Sequence, residues 1–114
     1  MMKKLLLLST LFFSSQGSAQ TWVEVNDASK LLWQMSANGT VYFRNLNEFD
    51  PAQGACCYAY NLDTTTPGGK SIWSMILTKI ASKKRITLGF PSVASNNNPQ
   101  TLNYIGRHSH ASNE

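Results

Sequence analysis

The chain has 114 residues, 42% apolar and 14% charged, with a formal net charge of +4. That is one domain with one modest core, since a chain of this size buries only about 60–65% of its unfolded surface. Lys3 and Lys4 sit in the first four positions, so the remainder carries only about +2, which argues against a nucleic-acid partner, because such a footprint needs a broad basic face.

Met1-Met2-Lys3-Lys4 forms a positive start, followed by an apolar run from Leu5 to Phe13 that only Ser9 and Thr10 interrupt. Ser14-Ser15-Gln16 then leads to the small residues Gly17-Ser18-Ala19. This pattern predicts a secretory signal peptide over 1–19, cleaved after Ala19. The run is shorter than the ~20 apolar residues a spanning helix needs, so no membrane span is expected. The expected organisation is a signal peptide (1–19), one domain (20–107) and a polar tail (108–114), in a secreted or periplasmic protein.

Trp22 to Val25 reads as a short extended segment and Asn26-Asp27-Ala28-Ser29 as a turn. Lys30 to Ser36 and Thr40 to Leu46 read as strands joined at Asn38-Gly39, a pair that tolerates the positive φ of a tight hairpin. Asn47 to Gly54 is a loop. Ala55 to Leu62 reads as a strand with Cys56, Tyr58, Tyr60 and Leu62 on one face and Cys57, Ala59 and Asn61 on the other.

Cys56 and Cys57 are the only cysteines. Neighbours cannot staple distant strands, which leaves a vicinal disulfide, a bond to another chain, or two thiols. The vicinal ring requires a distorted backbone, because consecutive Cα atoms lie about 3.8 Å apart, less than a disulfide usually spans.

Asp63 to Gly69 breaks the extended pattern, and Lys70 to Ser82 follows as the one helix. Ile72, Ile76 and Ile80 form its stripe, with Trp73, Leu77 and Met75 on the flanks, an apolar arc wider than the ~100° one core needs. Trp73, Met75 and Leu77 are therefore candidate oligomer-interface residues. Lys83-Lys84-Arg85 suits the negative end of the helix dipole. Arg85 to Phe90 alternates as a strand with Ile86, Leu88 and Phe90 inward. Pro91 to Gln100 is a loop and Thr101 to Ile105 a last strand, with Leu102 and Tyr104 on one side. His108 and His110 lie in the tail and make no metal site; no metal or cofactor is expected.

Three strands, a helix and two strands is the order of an OB barrel, whose closure removes exposed sheet edges. The expected fold is mostly β: an OB-like five-stranded small barrel with one α-helix between strands 3 and 4. An α+β sheet with one packed helix is the alternative.

Beyond this order, the signal peptide, the Trp soon after it and the passage Gly68-Gly69-Lys70-Ser71-Ile72-Trp73 through Lys83-Lys84-Arg85-Ile86-Thr87-Leu88 resemble the pentameric B subunits of AB5 toxins, notably the subtilase-cytotoxin and pertussis-like group, and related small exported bacterial proteins. The chain lacks that group's separated cysteines, and Asn26-Asp27-Ala28-Ser29 stands where the group has a Tyr-Ser-Asp type segment, so no individual sugar-binding residue carries over. The resemblance implies a secreted non-catalytic binding subunit that recognises a cell-surface glycan, assembled as a homo-oligomer such as a pentamer and working with a catalytic A subunit.

The residues themselves offer aromatic faces at Trp22, Trp33, Tyr42, Tyr58 and Tyr60, and amides at Asn61 and Asn96 to Asn98. From these, Trp33, Tyr58, Tyr60 and Asn61 are the candidate ligand-binding set, since sugars stack on rings and hydrogen-bond to amides. No catalytic residues are expected: the acids are scattered, and no nucleophile stands beside a base. An exported accessory or inhibitor that binds another protein is the alternative function.

Overall fold

The computed structural model describes residues 20–108. The expected signal peptide, with His110 and the rest of the tail beyond His108, lies outside them. The described chain forms seven short strands and one helix, in the order β1 (Thr21–Val25), β2 (Trp33–Met35), β3 (Thr40–Phe43), β4 (Tyr60–Asp63), α1 (Pro67–Ser82), β5 (Ile86–Phe90), β6 (Gln100–Thr101) and β7 (Tyr104–Gly106). They make two sheets, one ordered β1-β5-β7 and the other β2-β3-β4-β6, with β4 and β6 parallel and every other pair antiparallel.

The fold is thus mostly β, but the five-stranded barrel is corrected. The two sheets do not close on one another, and the helix lies between the fourth and fifth strands. The cause is a set of local breaks inside segments whose alternation reads as continuous. A 3-10 turn at Ala28–Lys30, capped by Asp27, delays β2 until Trp33, and a second at Leu46–Glu48 follows β3, which ends at Phe43. The expected strand from Ala55 survives only as Tyr60–Asp63, because Cys57 has φ +80°.

The expected last strand divides between the sheets. Leu102 N–H donates to Asn61 O in one sheet at 2.7 Å, and Asn103 N–H donates to Gly89 O in the other at 3.0 Å. Two consecutive amides therefore tie the sheets together, each satisfying a carbonyl that a longer strand would have bonded.

The β2–β3 hairpin also differs in detail from a two-residue turn. Ser36 N–H donates to Thr40 O and Gly39 N–H to Ser36 O, and only Gly39 takes positive φ, at +93°. This is a three-residue loop with glycine in the bulge position. Asn38 acts through its side chain, whose Oδ1 accepts from Thr40 N–H at 3.1 Å.

Helix α1 begins three residues before the expected start. Thr66 Oγ1 accepts from Gly69 N–H at 2.9 Å and Pro67 occupies the first turn, a capping pattern that satisfies an orphan donor and uses a residue with no N–H to lose. Ile76 and Trp73 are buried and Ile72 and Ile80 partly so. Strand β5 is buried along its whole length: its core-facing residues pack inward, and on the other side Trp22 lies over Gly89 while Thr87 Oγ1 donates to Glu24 Oε2 at 2.7 Å. Phe90 packs edge-on to Tyr60 and Phe43, and Phe43 to Trp73, so sheets and helix share one core.

Candidate binding face

Strand register sets a row of polar and aromatic side chains on the outer face of the four-stranded sheet. Gln34 pairs with Tyr42, Tyr42 with Asn61, and Asn61 with Thr101. Alternate residues share a face, so Arg44, two beyond Tyr42, joins the row. Thr101 Oγ1 donates to Asn61 Oδ1 at 2.8 Å, which orients that amide with its Nδ2 donors directed away from Thr101.

Arg44 organises the other end. Its Nη1 donates to Gln34 Oε1 at 2.6 Å, and its guanidinium carbon lies 5.3 Å from the Tyr58 ring centroid. Tyr58 meets Tyr42 edge to face at 5.2 Å. Arg44 first, and then Gln34, hydrogen-bond the phenol and hold its pKa below the ordinary value, because both favour the phenolate. Tyr58 is nonetheless 55% exposed. A ring held by a cation and a second ring while facing solvent is a preorganised stacking surface.

Beside it, Cys56 and Cys57 are joined by a disulfide across one peptide bond, with Cα atoms 3.7 Å apart. Cys56 is exposed and Cys57 half-buried. Cys56 Sγ lies 3.8 Å from Arg44 O, so the disulfide adjoins the same face.

The structure separates the four candidate ligand residues. Tyr58 and Asn61 belong to the face. Tyr60 is corrected to core: it is 1% exposed, its phenol donates to Gln53 Oε1 and accepts from Ala94 N–H at 2.9 Å, and desolvation raises its pKa. The turn at Cys57 is the reason, since it breaks the alternation that would have put Tyr58 and Tyr60 on one side. Trp33 is exposed but projects from β2 opposite to Gln34, against Trp73 at 5.3 Å. Sequence reasoning missed Arg44 and Gln34. The available signal was Tyr42 and Arg44 at strand spacing, though nothing local shows that Gln34 faces them.

Of the candidate interface residues, Met75 and Leu77 are 46% and 40% exposed, whereas Trp73 is 9% exposed and packs on Phe43 and Trp33. Trp73 is thus covered by its own domain. Met75 and Lys79 line an apolar groove of about 290 Å³ with Ile86, Ile105, Gly106 and Arg107. A second, polar cavity of about 480 Å³ is lined by Glu24, Asn26, Lys30, Glu48, Phe49 and Arg85, where Arg85 pairs with Glu24 at 3.2 Å.

Among the described residues no group of three or more His, Cys, Asp or Glu gathers to hold a metal, and no helix is long and apolar enough to cross a membrane. Comparison of the chain with protein-family models, with curated proteins and with solved structures finds no match.

Proposed function

We propose that this chain is an exported, non-catalytic binding protein that recognises a carbohydrate, such as a cell-surface glycan, on the outer face of its four-stranded sheet. One observation carries the reading: exposed Tyr58 and half-buried Tyr42 form a ring pair in a row that also presents Gln34, Arg44, Asn61 and Thr101. The apolar C–H face of a pyranose stacks on such rings, while its hydroxyls take the amide and guanidinium donors at their edge. The resemblance to AB5 toxin B subunits points the same way and adds a ring of copies and a catalytic A subunit as partners.

Binding of the purified protein to a panel of immobilised oligosaccharides, compared with Tyr58→Ala and Asn61→Ala, tests the proposal. Selective binding by the parent, weakened about tenfold or more by either substitution, supports it. A parent that binds no oligosaccharide, or variants that bind like the parent, removes it.

A second reading, an exported accessory or inhibitor that binds another protein, draws on a different surface. Met75 and Leu77 are exposed on α1, and the groove beside Met75 is apolar with Lys79 and Arg107 in its lining. Exposed apolar surface of this kind is what protein interfaces cover.

A further inference from the structure

We propose that the Cys56–Cys57 bond is a redox clamp on this binding face: it holds the turn that aims Tyr58 at Arg44 and Tyr42, and its reduction by a dithiol releases Tyr58 and abolishes ligand binding there. The ligand-binding half of this inference rests on the carbohydrate reading above; the moving part rests on geometry alone.

Tyr58 N–H donates to Cys56 O at 2.9 Å, across the single residue Cys57, whose φ is +80°. That is the γ-turn with a positive central φ, the rare and strained form. The other positive-φ residue besides glycine among the described residues is Lys83, at +58°, in the left-handed cap that ends α1, an ordinary place for it. No such helix-end role accounts for Cys57. What holds it is covalent: the disulfide closes a small ring through the 56–57 peptide, so neither residue rotates without the other.

The downstream flank of the turn is fixed by hydrogen bonds and the core, and the upstream flank lies against Arg44. Upstream, Cys56 Sγ sits 3.8 Å from Arg44 O just beyond β3. Downstream, Ala59 O accepts from Gln100 N–H at 2.8 Å and Tyr60 is anchored in the core. The turn at Cys57 is the hinge between them, and Tyr58 is the side chain it aims.

Reduction begins at the exposed Cys56 Sγ. A thiolate of the dithiol attacks it, the Cys57 thiolate leaves and takes a proton, and a mixed disulfide forms. The second thiol of the reagent then displaces Cys56, which also takes a proton. The protein gains two electrons and two protons, and the reagent departs as a cyclic disulfide. With the ring open, nothing covalent keeps a side chain at positive φ, and Cys57 relaxes to the negative-φ regions that L-residues favour. Tyr58 then swings off Arg44 and Tyr42, while Tyr60 keeps its partners in the core.

The test titrates the ring resonances of the tyrosines by NMR in the oxidised protein and after treatment with dithiothreitol, with intact mass reporting the bond and the oligosaccharide panel reporting binding. The expected result is a Tyr58 pKa that rises on reduction toward the ordinary value, unchanged Tyr60 resonances, an unchanged far-ultraviolet spectrum, and at least tenfold weaker binding to the oligosaccharide bound before. A Cys56→Ala/Cys57→Ala variant should match the reduced protein, whereas Cys56→Ala/Cys57→Gly, in which glycine takes positive φ freely, should keep part of the binding and ignore the dithiol. A Tyr58 that titrates identically in both states overturns the clamp whatever the panel shows. So does loss of the fold on reduction, because the bond would then support the whole domain. If the oxidised protein binds no oligosaccharide, the carbohydrate reading fails and the Tyr58 titration alone decides whether the clamp exists.

Discussion

Arg44 reaches two partners at once: its guanidinium carbon lies 5.3 Å from the Tyr58 ring centroid while its Nη1 donates to Gln34 Oε1 at 2.6 Å. A planar fork can satisfy an amide with one edge and lie against a ring with its face; an ammonium cannot. Arg44→Ala should therefore move the Tyr58 pKa up toward the ordinary phenol value, about 10, and Arg44→Lys should move it up in part. Absorbance at alkaline pH, or the tyrosine ring resonances, reads the shift. Because the folded pKa lies below the unfolded one, the stabilisation linked to it is present above the ordinary phenol range and is lost as pH falls through the lowered folded value. Near neutral pH the substitution should thus act on binding and not on stability through this titration.

Tyr60 makes the opposite case. Its phenol bridges Gln53 Oε1 and Ala94 N–H, and Gln53 is itself fully buried, its Nε2 donating to Thr21 Oγ1 at 3.1 Å and Asp50 Oδ2 at 3.0 Å. Removing the hydroxyl leaves a buried donor and a buried acceptor each short of a partner, at about 1–3 kcal/mol apiece. Tyr60→Phe should lower stability by about 2 kcal/mol or more in urea denaturation while binding by the folded protein is unchanged. A Tyr58→Phe substitution, at an exposed ring, should leave stability almost untouched.

The contrast between these two tyrosines shows where sequence legibility ended. Helix α1 and strand β5 were readable because their apolar periods run unbroken and their own neighbours bury them. The start of α1 was misplaced because Thr66-Pro67 reads as a breaker, though it is also a cap followed by a residue suited to the first helical turn. The Ala55–Leu62 alternation was real as a pattern but is interrupted by the backbone at Cys57, which no side-chain period reports. Likewise Leu102 and Asn103 continue a strand-like run, yet their amides bond to different sheets. Sheet closure is a matter of long-range pairing, and short strands whose ends are satisfied by such crossings need no barrel. Half of the candidate ligand set, Tyr58 and Asn61, falls on the face; Arg44 and Gln34 come to it through strand register.

Two adjacent glycines at the start of α1 give a sharp test of local packing. A Cβ on Gly69 would lie 1.8 Å from Asp63 O, against backbone that cannot step aside, whereas one on Gly68 meets nothing within 4 Å. Gly69→Ala should force the helix start away from β4 and cost at least ~1–3 kcal/mol. Gly68→Ala, in open space on a helix, should be neutral or stabilise by up to about 1 kcal/mol. Thermal denaturation of the pair, run side by side, checks both signs. Equal melting temperatures would mean that the close approach of α1 to Asp63 is wrong.

The exposed flanks of α1 carry the remaining expectation, that copies of the domain assemble through the helix. Trp73 has left the interface set, because Phe43 and Trp33 already cover it; Trp73→Ala would open a cavity costing ~3–5 kcal/mol and unfold the domain before it reported on assembly. Met75 and Leu77 are the informative positions, since both are apolar, exposed and free of core duties. A carboxylate at either costs little on the surface of a monomer, but strands a charge if the helix is covered by another copy. Light scattering on the purified protein at micromolar concentration should give a mass of several chains, and Met75→Glu or Leu77→Glu should reduce it to that of one chain with an unchanged circular dichroism spectrum. On the ridge of Ser74, Thr78 and Ser82, the hydroxyls of the latter two already donate to the carbonyls of Ser74 and Thr78 at 2.9 and 2.8 Å, so at those two positions another backbone can approach without stranding a hydroxyl donor. A parent protein that already has the mass of one chain would end the ring reading and leave the carbohydrate face to act alone.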